Sequence, residues 1–460
     1  MTIGLLARVL RSRAELRSHD RWSRDELQAR QEAALRDLRD FAVARSPFYR
    51  DIHRGLEDAP LEGLPVVTKQ VLMERFDSVV TDPDVRLAEV ERHLEHATAN
   101  DMFLGRYRVA ATAGTTGRRG IFLADAVEWQ TVLASYSRAY DWAGVAAGLT
   151  NRLRMAVVSS RNPSHQSAIV GATVASRLLP TLRLDAAQPI EEIVHDLNAF
   201  RPDAVVGYAS ILRILADEQL AGRLAITPRG VVSSSEVLTN ESRERLRSAF
   251  GVMPTNVYAA TETAGIASEC RHGRMHRYED LVIAEIVDQE NRPVAPGEYG
   301  ARLLVTVLFS RTQPLIRYEL SDRVQAHAGA CPDGLPYGLI GEIQGREEEV
   351  LTLAGINVHP NVFHAAFETV PVAGWQVIEE AGSLRLLLAR PFGQLLESDI
   401  AGRVSAQLDH VGVHGVPIAV EIVAEIPRTR LGKAPLIRRA SRNEPSAIPV
   451  EFSNLGGAST

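Results

Sequence analysis

Apolar and polar residues follow two rhythms along this chain, and the change from one to the other divides it. Met1–Arg8 reads as a short amphipathic helix. Ser23-Arg24-Asp25-Glu26 has the form of a capping box, in which a Ser and the Glu three places on satisfy each other's backbone donors. Behind it Leu27, Ala34, Leu35, Leu38, Phe41 and Ala42 recur on one helical face until Ser46-Pro47 stops the helix. Short apolar runs come next at Val109–Ala111, Ile121–Leu123, Met155–Val158, Ala204–Gly207 and Gly230–Ser233. The first two flank a loop and read as strands joined by it. The others read as buried strands with helical stretches between them, and Thr239–Phe250 as a helix ended by Gly251. Strands alternating with helices predict a parallel sheet covered on both faces.

After Glu262 the rhythm changes. Leu281–Asp288 and Ala301–Phe309 predict strands separated by Pro296-Gly297-Glu298-Tyr299-Gly300, as in a smaller antiparallel subdomain. A polar, charged stretch at Gly345–Glu349 marks a boundary, beyond which the chain has its own strands and helices. From Ser441 onwards Pro, Asn, Ser and Gly accumulate, which predicts a flexible tail over 441–460.

Composition narrows the class. A chain of 460 residues is too long for one ordinary core, so two or more domains are expected. A formal net charge of −6 with no long basic run gives no reason to expect nucleic acid as a partner. No apolar stretch is long enough for a bilayer, and Arg8 interrupts any secretory core, so no membrane association is expected. Two cysteines exclude a disulfide framework and fit a reducing cytoplasm.

The chemistry begins at Ala111–Gly120, read Ala-Thr-Ala-Gly-Thr-Thr-Gly-Arg-Arg-Gly. Glycines let successive N–H groups converge on an anion, hydroxyls add donors, and arginines add charge. Alone, the same stretch is equally a flexible surface loop, and it lacks the Lys-Ser/Thr pair of the common phosphate loop. Its meaning comes from the downstream motifs and their order: Tyr258-Ala259-Ala260-Thr261-Glu262, Arg317–Asp322, Gly345–Glu349 and Leu431-Gly432-Lys433. This series resembles the adenylate-forming superfamily of acyl-CoA synthetases, adenylation domains and luciferases. With Ser46–Arg50 and Leu64–Lys69, it looks most like the phenylacetate-CoA ligase-like branch.

The resemblance implies an α/β fold: a large N-terminal domain of layered α/β subdomains with a small antiparallel β subdomain, then a small mobile α+β C-terminal domain. The large adenylation domain would cover 1–345, a hinge 346–348 with Glu348 as the hinge residue, and a C-terminal lid 349–440. It implies an AMP-forming ligase that activates a carboxylic acid with ATP and transfers the acyl group to coenzyme A. A carrier-protein thiol, an amine or nitrite as acceptor, and a non-catalytic nucleotide-binding module, remain alternative readings. Thr112, Gly114, Thr115, Thr116, Gly117 and Arg118 would grip the β- and γ-phosphates. Thr261 would donate to phosphate and Glu262 hold Mg²⁺, a hard ion that prefers oxygen ligands. Tyr258 and Ala259 would lie along adenine, with Ser235 and Glu236 lining the same pocket. Asp322 would accept both ribose hydroxyls, and Arg346 would reach the sugar from the other side. Lys433 would bring an ammonium to the reacting oxygens. Arg119 stands where the family has proline, so altered loop rigidity is expected. Gly355, in Ala354–Asn357, would wall a pantetheine tunnel.

The acyl pocket is expected near Tyr208, Ala260 and Gly265, with the helix carrying Tyr136, Tyr140 and Trp142 as another wall. Small residues beside aromatic ones suit an aryl or arylacetic acid, and core packing explains them equally well. Cys270, His276, Cys331 and Asp333 resemble a zinc knuckle of the same branch, with Asp333 in place of its last Cys. Two thiolates, an imidazole and a carboxylate are acceptable tetrahedral Zn²⁺ ligands. His272 competes for a place in that set. A monomer or homodimer is expected.

Overall fold

The computed structural model describes residues 3–112, 119–145, 152–174, 176, 179–186, 188–346, 351–358, 360–367, 370, 372–380, 382–391, 396–427 and 436–440. The chain divides into two compact units between Glu347 and Glu348.

The first unit opens with helices α1 (Ile3–His19) and α2 (Arg24–Arg45). The capping box forms as the pattern predicts: the Ser23 Oγ accepts from the Glu26 N–H, and the Glu26 carboxylate accepts from the Ser23 N–H at 2.7 Å. Ser46 does more than stop α2. Its N–H closes that helix onto Ala42, and its Oγ caps α3 (Pro47–Ile52), with Pro47 in the first turn where no N–H is needed. Short helices α4 (Lys69–Glu74), α5 (Phe76–Val79) and α6 (Leu87–His96) lead to an antiparallel pair, β1 (Arg108–Ala111) and β2 (Ile121–Ala124).

Helix α7 (Ala126–Trp142) comes next, then an α/β series. It runs β3 (Met155–Ser159), α8 (Gln166–Val174), β4 (Thr181–Asp185), α9 (Ile190–Phe200), β5 (Ala204–Gly207), α10 (Ala209–Leu220), β6 (Gly230–Ser234), α11 (Asn240–Phe250) and β7 (Thr255–Ala260). Gly251, in the left-handed region at φ 71°, ends α11. The strands pair in parallel in the order β4-β3-β5-β6-β7. The chain therefore builds one way from β3 and then crosses back, so its direction reverses between β3 and β5.

Beyond β7 the sheet continues antiparallel through β8 (Ala264–Glu269), β9 (Met275–Arg277), β14 (Leu339–Arg346) and β13 (Asp322–Ala326), nine strands in all among the described residues. A separate antiparallel sheet holds β10 (Val282–Val287), β11 (Arg302–Val307) and β12 (Tyr318–Leu320). Its apolar face joins the largest buried cluster, with Leu38, Tyr49, Phe76, Val305, Ile316 and Tyr318. The expected change from parallel to antiparallel pairing after Glu262 is thus found. Arg317 pins the same region: its guanidinium, 2 % exposed, pairs with Glu285 and donates to the Glu62 and Leu64 carbonyls at 2.7 Å.

The second unit has a hairpin, β15 (Leu351–Leu353) with β16 (Ile356–Val358), turned through Ala354 and Gly355 at φ 50° and 80°. Two positive φ values in a two-residue turn match the twist of the flanking strands, and glycine meets that demand without strain. Its main sheet, β19 (Ile418–Val423), β18 (Ser383–Pro391), β17 (Val372–Glu380) and β20 (Ile437–Arg439), packs with α12 (Pro360–Phe367) and α13 (Glu397–His410) around Phe363, Trp375 and Leu386. Residues 441–460, read as a tail, lie outside the described residues, as does Glu348.

Candidate active site

The phosphate-loop expectation rests on a base that the fold builds. The Thr112 N–H donates to the Gly120 carbonyl at 2.9 Å, and the Gly120 N–H donates to the Thr112 Oγ1 at 2.9 Å. Gly114, Thr115, Thr116, Gly117 and Arg118 lie outside the described residues. Arg119, beside the base, is exposed.

Tyr258 and Asp322, far apart in sequence, come together. The Tyr258 hydroxyl donates to the Asp322 carboxylate at 2.9 Å, and the ring is 9 % exposed. Arg346 closes β14 directly opposite Asp322 in the strand register, so its backbone stands at the same sheet corner. Between Tyr258 and Ala259 a bulge interrupts the β7–β8 ladder, and the chain turns at Thr261–Thr263 before re-entering the sheet as β8. Bulges re-aim side chains beside active sites. The Thr261 carbonyl is held by Gln166, whose amide nitrogen donates to it at 3.1 Å while its oxygen accepts from the Tyr136 hydroxyl at 2.8 Å. Nothing in the sequence around Gln166 signalled this part. Thr261 and Glu262 border a recess of about 40 Å³ that Arg108, Glu128 and Gln166 also line.

On the neighbouring strand end, Ser235 is exposed and sits at φ 70°, a conformation uncommon outside glycine. Glu236 accepts from the Ser210 N–H at 2.9 Å, tying this turn to the start of α10. The Ser160 N–H donates to the Tyr208 hydroxyl at 2.9 Å. Those two residues come directly after β3 and β5, at the point where strand order reverses, and open α/β sheets bind ligands beyond the strand ends at such points.

An apolar cavity of about 180 Å³ begins there. Its floor is one face of the sheet, as the two-residue period requires: Met155, Val157 and Ser159 on β3, with Val206, Val232 and Val257 beside them. Val157 and Val206 lie mid-strand yet are only half-buried, because the cavity takes the place of packed neighbours. Tyr136 and Tyr140 on α7 and Val170 and Val174 on α8 form walls, and Tyr208 lines the strand-end side. Burial pushes the Tyr140 hydroxyl up to about 12 and raises Tyr136 as well, so both remain neutral donors. Ala260 and Gly265 do not line this cavity. Gly265 instead lies under Tyr278, where a Cβ would stand 2.5 Å from a ring carbon. Trp142 is no cavity wall either; it packs edge-on against His276 and Tyr278, and its indole N–H donates to Asp20 at 3.1 Å.

A third group forms behind that tryptophan. Cys270, His276 and Cys331 place a ligand atom each within 4.8 Å of one another. The two sulfurs are 3.6 Å apart, and thiolates about 2.3 Å from a tetrahedral Zn²⁺ would stand roughly 3.8 Å apart. The His276 Nδ1 meets the Tyr337 carbonyl at 3.3 Å, and its Nε2 is buried without a hydrogen bond. That is the arrangement of a ligating imidazole, one nitrogen oriented by a carbonyl and the other left as a lone pair. Burial lowers the His276 pKa, which keeps the ring neutral for ligation. Asp333 hydrogen-bonds to Cys270 and also pairs with Arg271 at 2.5 Å and His272 at 3.2 Å. The three grouped donors, two thiols and an imidazole, are of the kind Zn²⁺ takes, and Asp333 lies beside Cys270 while engaged by Arg271 and His272.

Lys433 lies outside the described residues, as does the side chain of Arg346. Among the described residues, no helix is long and apolar enough to cross a membrane.

No family model matches the chain. It is 25 % identical over 419 residues to a phenylacetate-coenzyme A ligase of Thermus thermophilus, covering 84 % of this chain and 87 % of that protein. It is 27 % identical over 265 residues to a phenylacetate-coenzyme A ligase of Pseudomonas putida, covering 55 % and 57 %. Among solved structures it is similar in fold to 2-hydroxyisobutyryl-CoA ligase in the postadenylation state, with TM-score 0.72, 19 % identity and coverage of 91 % and 90 %.

Proposed function

We infer that this chain, similar over most of its length to a phenylacetate-coenzyme A ligase, is an adenylate-forming enzyme: an ATP-dependent, AMP-forming ligase that converts a carboxylic acid to its acyl-adenylate and then to a coenzyme A thioester. The observation that carries the reading is the meeting of Tyr258, Asp322 and the Arg346 strand end at one sheet corner, with the Thr261–Glu262 turn close behind Tyr258. A base platform, a ribose acceptor and a phosphate-side turn are the parts a bound ATP needs.

In the first half-reaction a carboxylate oxygen attacks the α-phosphorus and the bond to pyrophosphate breaks. Two anions must approach, so the protein's task is to neutralise charge and fix alignment. Thr112 and the loop that its bonds to Gly120 anchor would hold the β- and γ-phosphates, Thr261 would donate to phosphate, and Glu262 would hold Mg²⁺. Lys433 would sit against the incoming carboxylate and the α-phosphate. In the second half-reaction a thiol sulfur attacks the acyl carbon and AMP leaves. Rotation of the C-terminal domain about Glu348 between the two steps belongs to the proposal. The apolar cavity would receive the acyl group, an aryl or arylacetic one, with the carboxylate at the Tyr208 end. Zn²⁺ at Cys270, His276, Cys331 and Asp333 would be structural, joining the β8–β9 turn to the loop before β14.

The test is pyrophosphate release across a panel of acids, with and without coenzyme A, by the native protein and by Lys433→Ala. Acid-dependent release with thioester formation is expected, with a loss of about 10²–10³ in rate for the variant. A variant of undiminished rate removes Lys433 from the chemistry. Turnover indifferent to the thiol removes coenzyme A as acceptor.

A further inference from the structure

We propose that the N-terminal helix α1 is a wall of the acyl chamber and sets the size of the acid the enzyme accepts. The proposal rests on the reading of the apolar cavity as the acyl site and adds a specificity-determining element to it. Leu6, Val9, Leu10 and Arg13 line the cavity and recur at i, i+3, i+4 and i+7, one stripe of one helix. Val9 also packs toward the buried cluster of Trp129, Val132 and Leu133, yet Leu6, Val9 and Leu10 all remain only half-buried, because the cavity lies against the stripe.

The helix is held in place by polar bonds at its other end. Arg13 and Arg17 both grip Asp141 on α7, at 2.5 and 2.6 Å. His19 pairs with Asp280 at 2.6 Å, and Asp20 accepts from Trp142. With the Arg13 charge matched by Asp141, the cavity meets the apolar stem of that side chain, not a free cation. No anionic group of a substrate is invited to this side. The chamber is therefore built for an uncharged, apolar acyl group. An apolar cavity of about 150 Å³ is enough for benzene, so 180 Å³ accommodates a ring with a short aliphatic extension.

The experiment compares kcat/KM for pyrophosphate release over benzoate, phenylacetate, 3-phenylpropionate and 4-phenylbutyrate. The proteins are the native chain, Leu10→Ala, Val9→Trp and, on the opposite wall, Val206→Leu. Melting temperature and the KM for ATP check that each variant is folded and binds nucleotide. Leu10→Ala should shift preference toward longer acids and Val9→Trp toward shorter ones, each changing the ratio between neighbouring acids by about tenfold or more. If folded α1 variants keep the native ratios while Val206→Leu shifts them, α1 is no wall although the chamber is the acyl site. If no wall variant moves the ratios, the chamber is not the acyl site and both claims fall. Absence of turnover with every acid in every protein likewise overturns both.

Discussion

Removing the charge of Asp280 tests how this fold is fastened, because that carboxylate is the buried meeting point of α1, α7 and the antiparallel half of the sheet. Its side chain and that of Arg138 are each 2 % exposed, joined by two bonds of 2.7 and 2.6 Å, with His19 as a third partner. The guanidinium also lies over the rings of Tyr278, Tyr337 and Trp142, at 4.9, 5.0 and 5.7 Å from their centres. In Asp280→Asn those ring contacts persist while the counter-charge is lost. A buried charge left without its partner costs about 3–5 kcal/mol. The amide oxygen still accepts one bond, which places the expected loss near the lower end. Unfolding entropy of about 2.1 cal/mol/K per residue over the 351 residues of the first unit amounts to roughly 0.7 kcal/mol/K, so a loss near that lower end corresponds to about 4–5 °C in melting temperature.

Calorimetry measures this directly. Burial alone would raise the Asp280 carboxyl, but Arg138 and His19 outweigh it and hold the group well below the usual 3.8. A depressed carboxyl contributes stability that is fully present above its unfolded value and lost as pH falls toward its folded one. The deficit of the variant should therefore be level above about pH 5 and shrink in acid below about pH 4. Replacing both partners, as Arg138→Met with Asp280→Leu, should restore most of the loss. A single variant within about 1 kcal/mol of native at neutral pH would refute the reasoning.

Elemental analysis of the purified protein should find one zinc per chain, reduced to background in Cys331→Ala and His276→Ala; a zinc-free, folded native protein refutes the site. Gly265→Ala should destabilise by about 1–3 kcal/mol in urea unfolding, since its Cβ would press on the fully buried Tyr278 ring. Tyr258→Phe removes one neutral donor to Asp322 and should raise the KM for ATP by about two- to tenfold, with a smaller effect on kcat.

What the sequence disclosed was local or periodic. The capping box at Ser23, the Gly251 stop and the change of sheet direction each depend on residues a few places apart, so propensity and spacing suffice. The ordered motifs pointed to the meeting of Tyr258, Asp322 and the Arg346 strand end, because a family pattern stores tertiary proximity that a single stretch cannot express. The rest needed the fold. Met1–Arg8 read as a short amphipathic helix, whereas α1 runs over Ile3–His19, and the cavity that Leu6, Val9 and Leu10 line depends on β3 and β5, more than a hundred residues later. Trp142 looked like a substrate wall because it shares α7 with Tyr136 and Tyr140, yet it lies beyond the stripe that Leu133, Tyr136, Ser137 and Tyr140 present to the cavity. Gln166 gave no signal because its function is to connect two groups brought together only by packing.

The reversal between β7 and β8 has an evolutionary corollary. In the parallel half of the sheet β3, β4, β5 and β6 each lead into a helix, and such connections can absorb an added or missing residue. Here only Thr261, Glu262 and Thr263 separate two directly paired strands, and all six residues of β8 are buried. An insertion or deletion of one residue would exchange the two faces of β8 throughout. Homologues should therefore vary this turn by substitution while conserving its length, and concentrate their indels in connections such as 288–301.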